Sequence, residues 1–243
     1  MDWVNKFWAL EDKLYNLKRK VDNKQSKYKQ HMIGSFRSNK MQRPVYYESL
    51  WGECLLFYIL ELDPTTIRYY EQPVEIPIYY KDEKGKLNSW IHVPDVLIFK
   101  QGMKPILSQI KVNTPESHKD KQIKRECMKF CERKGWLYKT VVTKELPEIL
   151  KKNTMFLWNY KKERDYYQPL VSRLLDKIDS MGEERIMFLA QSLKGYDQKL
   201  VIPVIFYMIA RGFLAVNLFE QINKDSFVKR GSIYQQLSIS AME

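Results

Sequence analysis

The chain has 243 residues, 44% hydrophobic and 14% aromatic, enough apolar surface for one larger or two small packed domains and against global disorder. Lysine and arginine total 41 against 29 acidic residues, and the resulting formal charge of +12 favours a polyanionic partner, nucleic acid being the commonest. The three cysteines, Cys54, Cys127 and Cys131, are too few and odd in number for a disulfide framework, and with only His31, His92 and His118 scattered beside them they form no zinc pattern.

Those cysteines read as packing residues in a reducing, cytoplasmic protein. Residues 3–30 read as a helix, with Trp3, Phe7, Leu10, Leu14 and Leu17 at helical spacing and lysine and arginine on the other faces, so the start reads as no signal peptide. Residues 32–46, with Gly34, Pro44, Arg37, Lys40 and Arg43, read as a basic loop. Tyr47 to Leu62 reads as an amphipathic helix that ends before Asp63-Pro64.

Strands are expected at Gln72–Tyr80, Trp90–Phe99 and Pro105–Val112, with charged turns between them. Thr114-Pro115-Glu116 reads as a helix start, with the helix running to about Arg133 and stopping near Gly135. A strand at Trp136–Val142 and a short helix from Glu145 follow. The aromatic set Trp136, Tyr138, Phe156, Trp158 and Tyr160 reads as core.

Beyond Lys161 the pattern changes to three helices, about 165–179, 183–194 and 199–211, then a short strand at 213–218 and a basic segment with Lys229 and Arg230. That order suggests a winged-helix module, and divides the chain into residues 1–164 and 165–243. The most apolar stretch, 200–218, is interrupted by Pro203, Arg211 and Gly212 and reads as a buried helix and strand, so no membrane partner is expected.

Chemistry concentrates at Val93-Pro94-Asp95 and Gln109-Ile110-Lys111. Alternation along a strand puts Gln109 and Lys111 on one face and Ile106, Ser108 and Ile110 on the other. A hairpin through Lys100–Lys104 lays Asp95 beside Gln109. A carboxylate and an amide oxygen suit a hard cation, Mg²⁺ or Mn²⁺, which polarises a phosphodiester and activates water, while Lys111 stabilises charge on the phosphate. Glu48 and Glu53 are the candidate acids from the preceding helix.

The order helix acid, strand Asp, hairpin, strand Q-x-K, helix resembles the PD-(D/E)xK nuclease superfamily. More narrowly, Gly34 to Lys40 (GSFRSNK), Tyr47 to Glu53 (YESLWGE), Leu60 to Pro64 (LELDP) and Tyr70 to Pro73 (YEQP) resemble TnsA, the endonuclease subunit of heteromeric cut-and-paste transposases. The likeness spans about residues 34–143. It implies an α/β, restriction-endonuclease-like domain with a mixed sheet flanked by helices, followed by a winged helix.

The resemblance carries the family's site onto Glu53, Asp95, Gln109 and Lys111, with the main-chain carbonyl of Ile110 as a further metal ligand. It implies a Mg²⁺-dependent endodeoxyribonuclease that cuts the non-transferred strands, the 5′ ends, of double-stranded transposon ends. It also implies two partners, an integrase-type (TnsB-like) transposase and an AAA+ (TnsC-like) ATPase regulator. A stand-alone restriction or repair nuclease and a non-catalytic DNA- or partner-binding protein are the rival readings. Gln109 stands where the wider superfamily has an acid, as it does in TnsA.

Four further groups bear on DNA or on the metal. Lys119, Lys121, Lys124 and Arg125 on the helix after the Q-x-K strand are candidate phosphate contacts or simply a solvated face, and Lys229 and Arg230 in the tail are candidate wing contacts to DNA or part of a protein-binding wing. Glu71 and Gln72 are candidates for the metal's surroundings or for structural hydrogen bonds. Glu48, in a first helical turn, suits the helix dipole.

Overall fold

The computed structural model describes residues 1–19, 32–81, 84–111 and 117–237. In chain order the elements are α1 (Ala9–Leu14), β1 (Gly34–Arg37), β2 (Pro44–Tyr47), a π-turn (Leu50–Cys54), α2 (Leu55–Leu62), β3 (Thr66–Glu71), β4 (Ile76–Lys81), β5 (Leu87–His92), β6 (Val96–Lys100), β7 (Ile106–Lys111), α3 (His118–Lys134), β8 (Leu137–Val142), a 3₁₀ turn (Thr143–Glu145), α4 (Glu148–Trp158), α5 (Gln168–Met181), β9 (Glu183–Arg185), α6 (Ile186–Gln191), α7 (Gln198–Ala210), β10 (Leu214–Val216) and β11 (Phe227–Arg230). The architecture is α/β with a mixed sheet flanked by helices, as the sequence suggests.

The chain divides into two compact units, Met1–Cys54 with Thr65–Lys144, and Leu55–Pro64 with Glu145–Glu243. The division therefore falls at Lys144–Glu145 rather than at 164–165, and α2 belongs with the C-terminal part. All eight α2 residues are buried, so this helix is enclosed rather than amphipathic.

The first unit is built on a four-stranded sheet in the order β3-β6-β7-β8. β3/β6 and β6/β7 pair antiparallel, and β7/β8 pair parallel. A parallel pair needs a crossover, and α3 supplies it. All of β6 is buried, as befits a central strand covered on both faces. From α3, Cys127 and Cys131 are buried, and burial pushes both thiols up to about 12, so they pack and do not react. β1/β2 and β4/β5 form separate antiparallel ribbons.

Several sequence expectations change. Residues 32–46 contain the β1/β2 ribbon rather than a loop alone. The strand read from Trp90 to Phe99 is two strands in two sheets, β5 and β6, broken at Val93-Pro94-Asp95. Pro94 has no N–H to give a ladder, which is where the chain leaves one sheet for the other. Thr66–Glu71 is a strand that alternation did not reveal, and Gln72, at φ 46°, ends it in a left-handed turn.

The helix expected over 3–30 is only α1 within the described residues, and 20–31, with their lysines and His31, lie outside them. Phe7, Leu10 and Leu14 are exposed. Trp3, Trp8 and Tyr15 instead anchor this segment, all three packing against Phe99. Thr114-Pro115-Glu116 also lie outside the described residues. The cap of α3 is Ser117, whose hydroxyl accepts from Asp120 N while the Asp120 carboxylate accepts from Ser117 N.

The second unit holds α2, α4 and, in order, α5-β9-α6-α7-β10-β11, with a three-stranded antiparallel sheet β10-β11-β9. Residues 183–185, expected to open a helix, form β9 instead. Asn153 of α4 is buried and donates to the carbonyls of Leu218 (2.9 Å) and Glu220 (2.6 Å). Lys161 and Glu61 form a buried ion pair at 3.1 Å. No helix among the described residues is long and apolar enough to cross a membrane.

Candidate active site

Glu53 is presented by the π-turn, a helix irregularity that often marks functional positions. Its N–H donates to Ser49 Oγ at 3.0 Å, and its Oε2 accepts from Glu48 N at 2.6 Å. Gly52 makes this turn fit, because a Cβ there would lie 2.3 Å from Ser49 Oγ and 3.6 Å from Ile110 Cγ2.

Asp95 sits one residue before β6. The β6/β7 ladder begins at Val96↔Ser108, so Asp95 stands opposite Gln109. There its side chain continues the ladder. Asp95 Oδ2 accepts from Gln109 Nε2 at 2.5 Å and from Ile110 N at 2.6 Å. Its main-chain carbonyl accepts from Gln72 N at 2.8 Å. The structure thus brings Glu53, Asp95 and Gln109 together as the sequence led us to expect, and leaves Glu53 Oε1 and Asp95 Oδ1 outside these bonds.

Both carboxylates are nearly enclosed, with 8% and 9% of their surface exposed. Burial pushes Glu53 up to about 7. Asp95 is raised well above its ordinary range, first by burial and then by the charge of Glu53. Arg19 opposes both shifts. Two like charges held this close in a dry setting are a natural seat for a cation.

Gln109 Oε1 is buried without a hydrogen bond of good geometry, and so is His92 Nε2. Burial lowers the His92 pKa, and a contact with the Gln109 side chain opposes that fall. A buried acceptor without a well-aligned donor is a costly arrangement in a stable fold. Here it adjoins two carboxylates.

The chain matches no protein-family model and no curated protein.

Among the described residues no three His, Cys, Asp or Glu side chains gather at metal-binding spacing. The set is two carboxylates with an amide oxygen, all hard oxygen donors of the kind Mg²⁺ and Mn²⁺ accept. The N–H of Ile110 faces Asp95. In a strand the carbonyl of the same residue leaves toward the same edge, so Ile110 O can join them.

Lys111 pairs with Asp120 at the start of α3, at 3.4 Å. Glu48, the rival helix acid, is on the rim, where its Oε2 takes Arg19 Nη2 at 2.6 Å. Glu71 has a structural role, a two-point ion pair with Arg43 at 2.5 and 2.7 Å. Gln72 carries Asp95 through its N–H. It also holds the N-terminal strap, because its carbonyl accepts from Lys18 N at 3.0 Å.

Arg19 is the participant that sequence reasoning missed. It lies in a run of basic residues with no signal to separate it from its neighbours, and only the folded chain carries it to the acids. Among the candidate DNA contacts, Lys119 stands over the Trp90 ring at 5.3 Å and Arg125 pairs with Glu126 at 3.1 Å. Lys121 and Lys124 are exposed on the same helix. In the second unit Arg230 pairs with Asp179 at 2.8 Å. Lys229 lines a concavity with Glu183, Glu220 and Asp225.

Proposed function

We propose that the first unit is a divalent-metal-dependent DNA endonuclease. Glu53, Asp95 and Gln109 would hold Mg²⁺, or Mn²⁺ in its place, with the Ile110 carbonyl as a fourth ligand. One observation carries the reading. Two buried carboxylates, both raised first by burial, lie beside a buried amide oxygen that makes no hydrogen bond of good geometry.

A divalent cation in that seat polarises the phosphodiester and supplies a nucleophile from water near neutral pH. The protein does the positioning. Gln109 Nε2 and Ile110 N fix Asp95 through Oδ2 and leave Oδ1 for the ion. Glu48 N fixes Glu53 through Oε2 and leaves Oε1. Lys111 lies two residues from Gln109, on the same face of β7. Leaving Asp120 for the phosphate, its ammonium stabilises the charge that develops as the bond breaks.

The TnsA resemblance extends the proposal to a transposase subunit that cuts the non-transferred strands at transposon ends, beside an integrase-type transposase and an AAA+ regulator. The helices α5, α6 and α7 and the three-stranded sheet β10-β11-β9 of the second unit suit a winged-helix module. Its last strand suits a protein partner better than DNA, since Lys229 shares its concavity with three acids.

The test is strand cleavage of end-bearing DNA with Mg²⁺. The chain alone is expected to cut little and to cut 5′ strands when its transposase partner is added. Asp95→Ala should abolish cutting and keep the DNA complex. Normal cutting by Asp95→Ala ends the site assignment, and robust sequence-specific cutting by the isolated chain favours a stand-alone nuclease.

A further inference from the structure

The β4/β5 ribbon leans on α3, and the seam between them is a concavity of about 630 Å³. Tyr79, Tyr80 and Lys81 line it from the ribbon, and His118, Lys121 and Arg125 line it from the helix. Among the described residues no carboxylate lines it. A basic helix face is usually just a solvated surface, but three features set this one apart.

First, the aromatic side chains are left outside. Tyr79 is 55% exposed and Tyr80 38%, although both lie on a strand whose Ile76 and Ile78 are buried. Second, the groove is already formed, because Gln122 Nε2 of α3 donates to Tyr79 O at 2.6 Å and Lys119 covers the Trp90 ring of the ribbon. Third, it starts beside the candidate active site. Lys121 follows Asp120, the partner of Lys111, and β5 ends at His92, which interacts with Gln109.

We infer that this groove binds the sugar-phosphate backbone of duplex DNA next to the cut phosphodiester, with Lys121, Arg125 and Lys81 on phosphates and the two tyrosine rings against the sugars. The inference rests on the nuclease reading for its ligand. Charge complementarity selects the occupant, since a concave lining that, among the described residues, holds three cations and two exposed rings and no acid fits a polyanion better than an uncharged partner.

The experiment is fluorescence anisotropy of a labelled duplex with the full chain in EDTA, titrated with salt from about 50 to about 200 mM. Three proteins are compared with wild type: Lys121→Gln/Arg125→Gln in the groove, Arg133→Gln/Lys134→Gln in the last turn of the same helix, and Asp95→Asn. Removing two phosphate contacts flattens the slope of log K against log salt by about 1.8 and weakens binding about tenfold or more at the lower salt. The end-of-helix double variant makes the same charge change outside the groove and should keep the wild-type slope.

Equal losses in the two double variants, loss in neither, or a wild-type chain that binds no duplex overturns the groove. The nuclease reading fails separately. A chain that binds through the groove but never cuts with Mg²⁺ or Mn²⁺ and its partner sinks the nuclease alone, and one that cuts with no groove dependence sinks the groove alone. Asp95→Asn should bind DNA as wild type does, which keeps the two failures apart.

Discussion

Asp95 does two things with one carboxylate. Its Oδ2 completes the β6/β7 ladder, and its charge, set against Glu53, makes the site expensive to ionise. These separate in Asp95→Asn, where an amide oxygen can still accept from Gln109 Nε2 and Ile110 N but carries no charge. The sign follows from the raised values. The folded chain holds protons on these acids that the unfolded chain has already lost, so metal-free stability falls as pH rises from about 4.5 to about 7 for Glu53 and stays low above that. Asp95→Asn is therefore expected to melt higher than wild type at pH 8 without metal and to converge with it near pH 4. Thermal unfolding at the two pH values checks this, and a variant less stable than wild type at pH 8 would show that the charge is not under strain. The same substitution should end cleavage.

At the scale of elements, the site depends on a π-turn that the spacing of Trp51, Leu55, Tyr58, Ile59 and Leu62 gave no reason to expect. That spacing reads as a plain helix, yet Trp51 is 52% exposed and the helix proper starts at Leu55. The irregularity is a matter of close approach at Gly52. Gly52→Ala must push Ser49 Oγ away and with it the hydrogen bond to Glu53 N. The expected result is a loss of about 1–2 kcal/mol in stability and at least tenfold in cleavage, read by melting and by strand cutting. Intact cleavage would show that the turn does not position the acid. The hairpin was legible because Asp95 and the Q-x-K run flank a short charged turn, and Asp95 does lie beside Gln109. The break between β5 and β6 was not, since Val93 and Ile91 continue the apolar pattern and only Pro94 marks where the chain changes sheet. Likewise α3 was legible in length and its Gly135 stop, but its cap is Ser117, a residue later than any of the three read as the start.

For the whole molecule, the lesson is that two units share one chain in an order that composition does not announce. Leu55–Pro64 joins the C-terminal unit because its apolar residues are enclosed there by α4 and the segment after it, not because of anything in its own sequence. Lys161 fastens that arrangement to the last turn of α2 through Glu61, and burial lowers the Lys161 pKa while Glu61 raises it. Lys161→Ala strands a buried carboxylate and should cost about 3–5 kcal/mol of stability, seen as an early transition in denaturant. Unchanged unfolding would mean that the pair is solvated. The nuclease reading itself rests on Glu53, Asp95 and Gln109 sharing one cation. It is tested most directly by calorimetric titration of Mn²⁺ into wild type and Asp95→Asn near pH 8, above the value of about 7 to which Glu53 is raised. Wild type should show a saturable binding event that Asp95→Asn lacks. Equal binding by both proteins, or none by wild type, would contradict it.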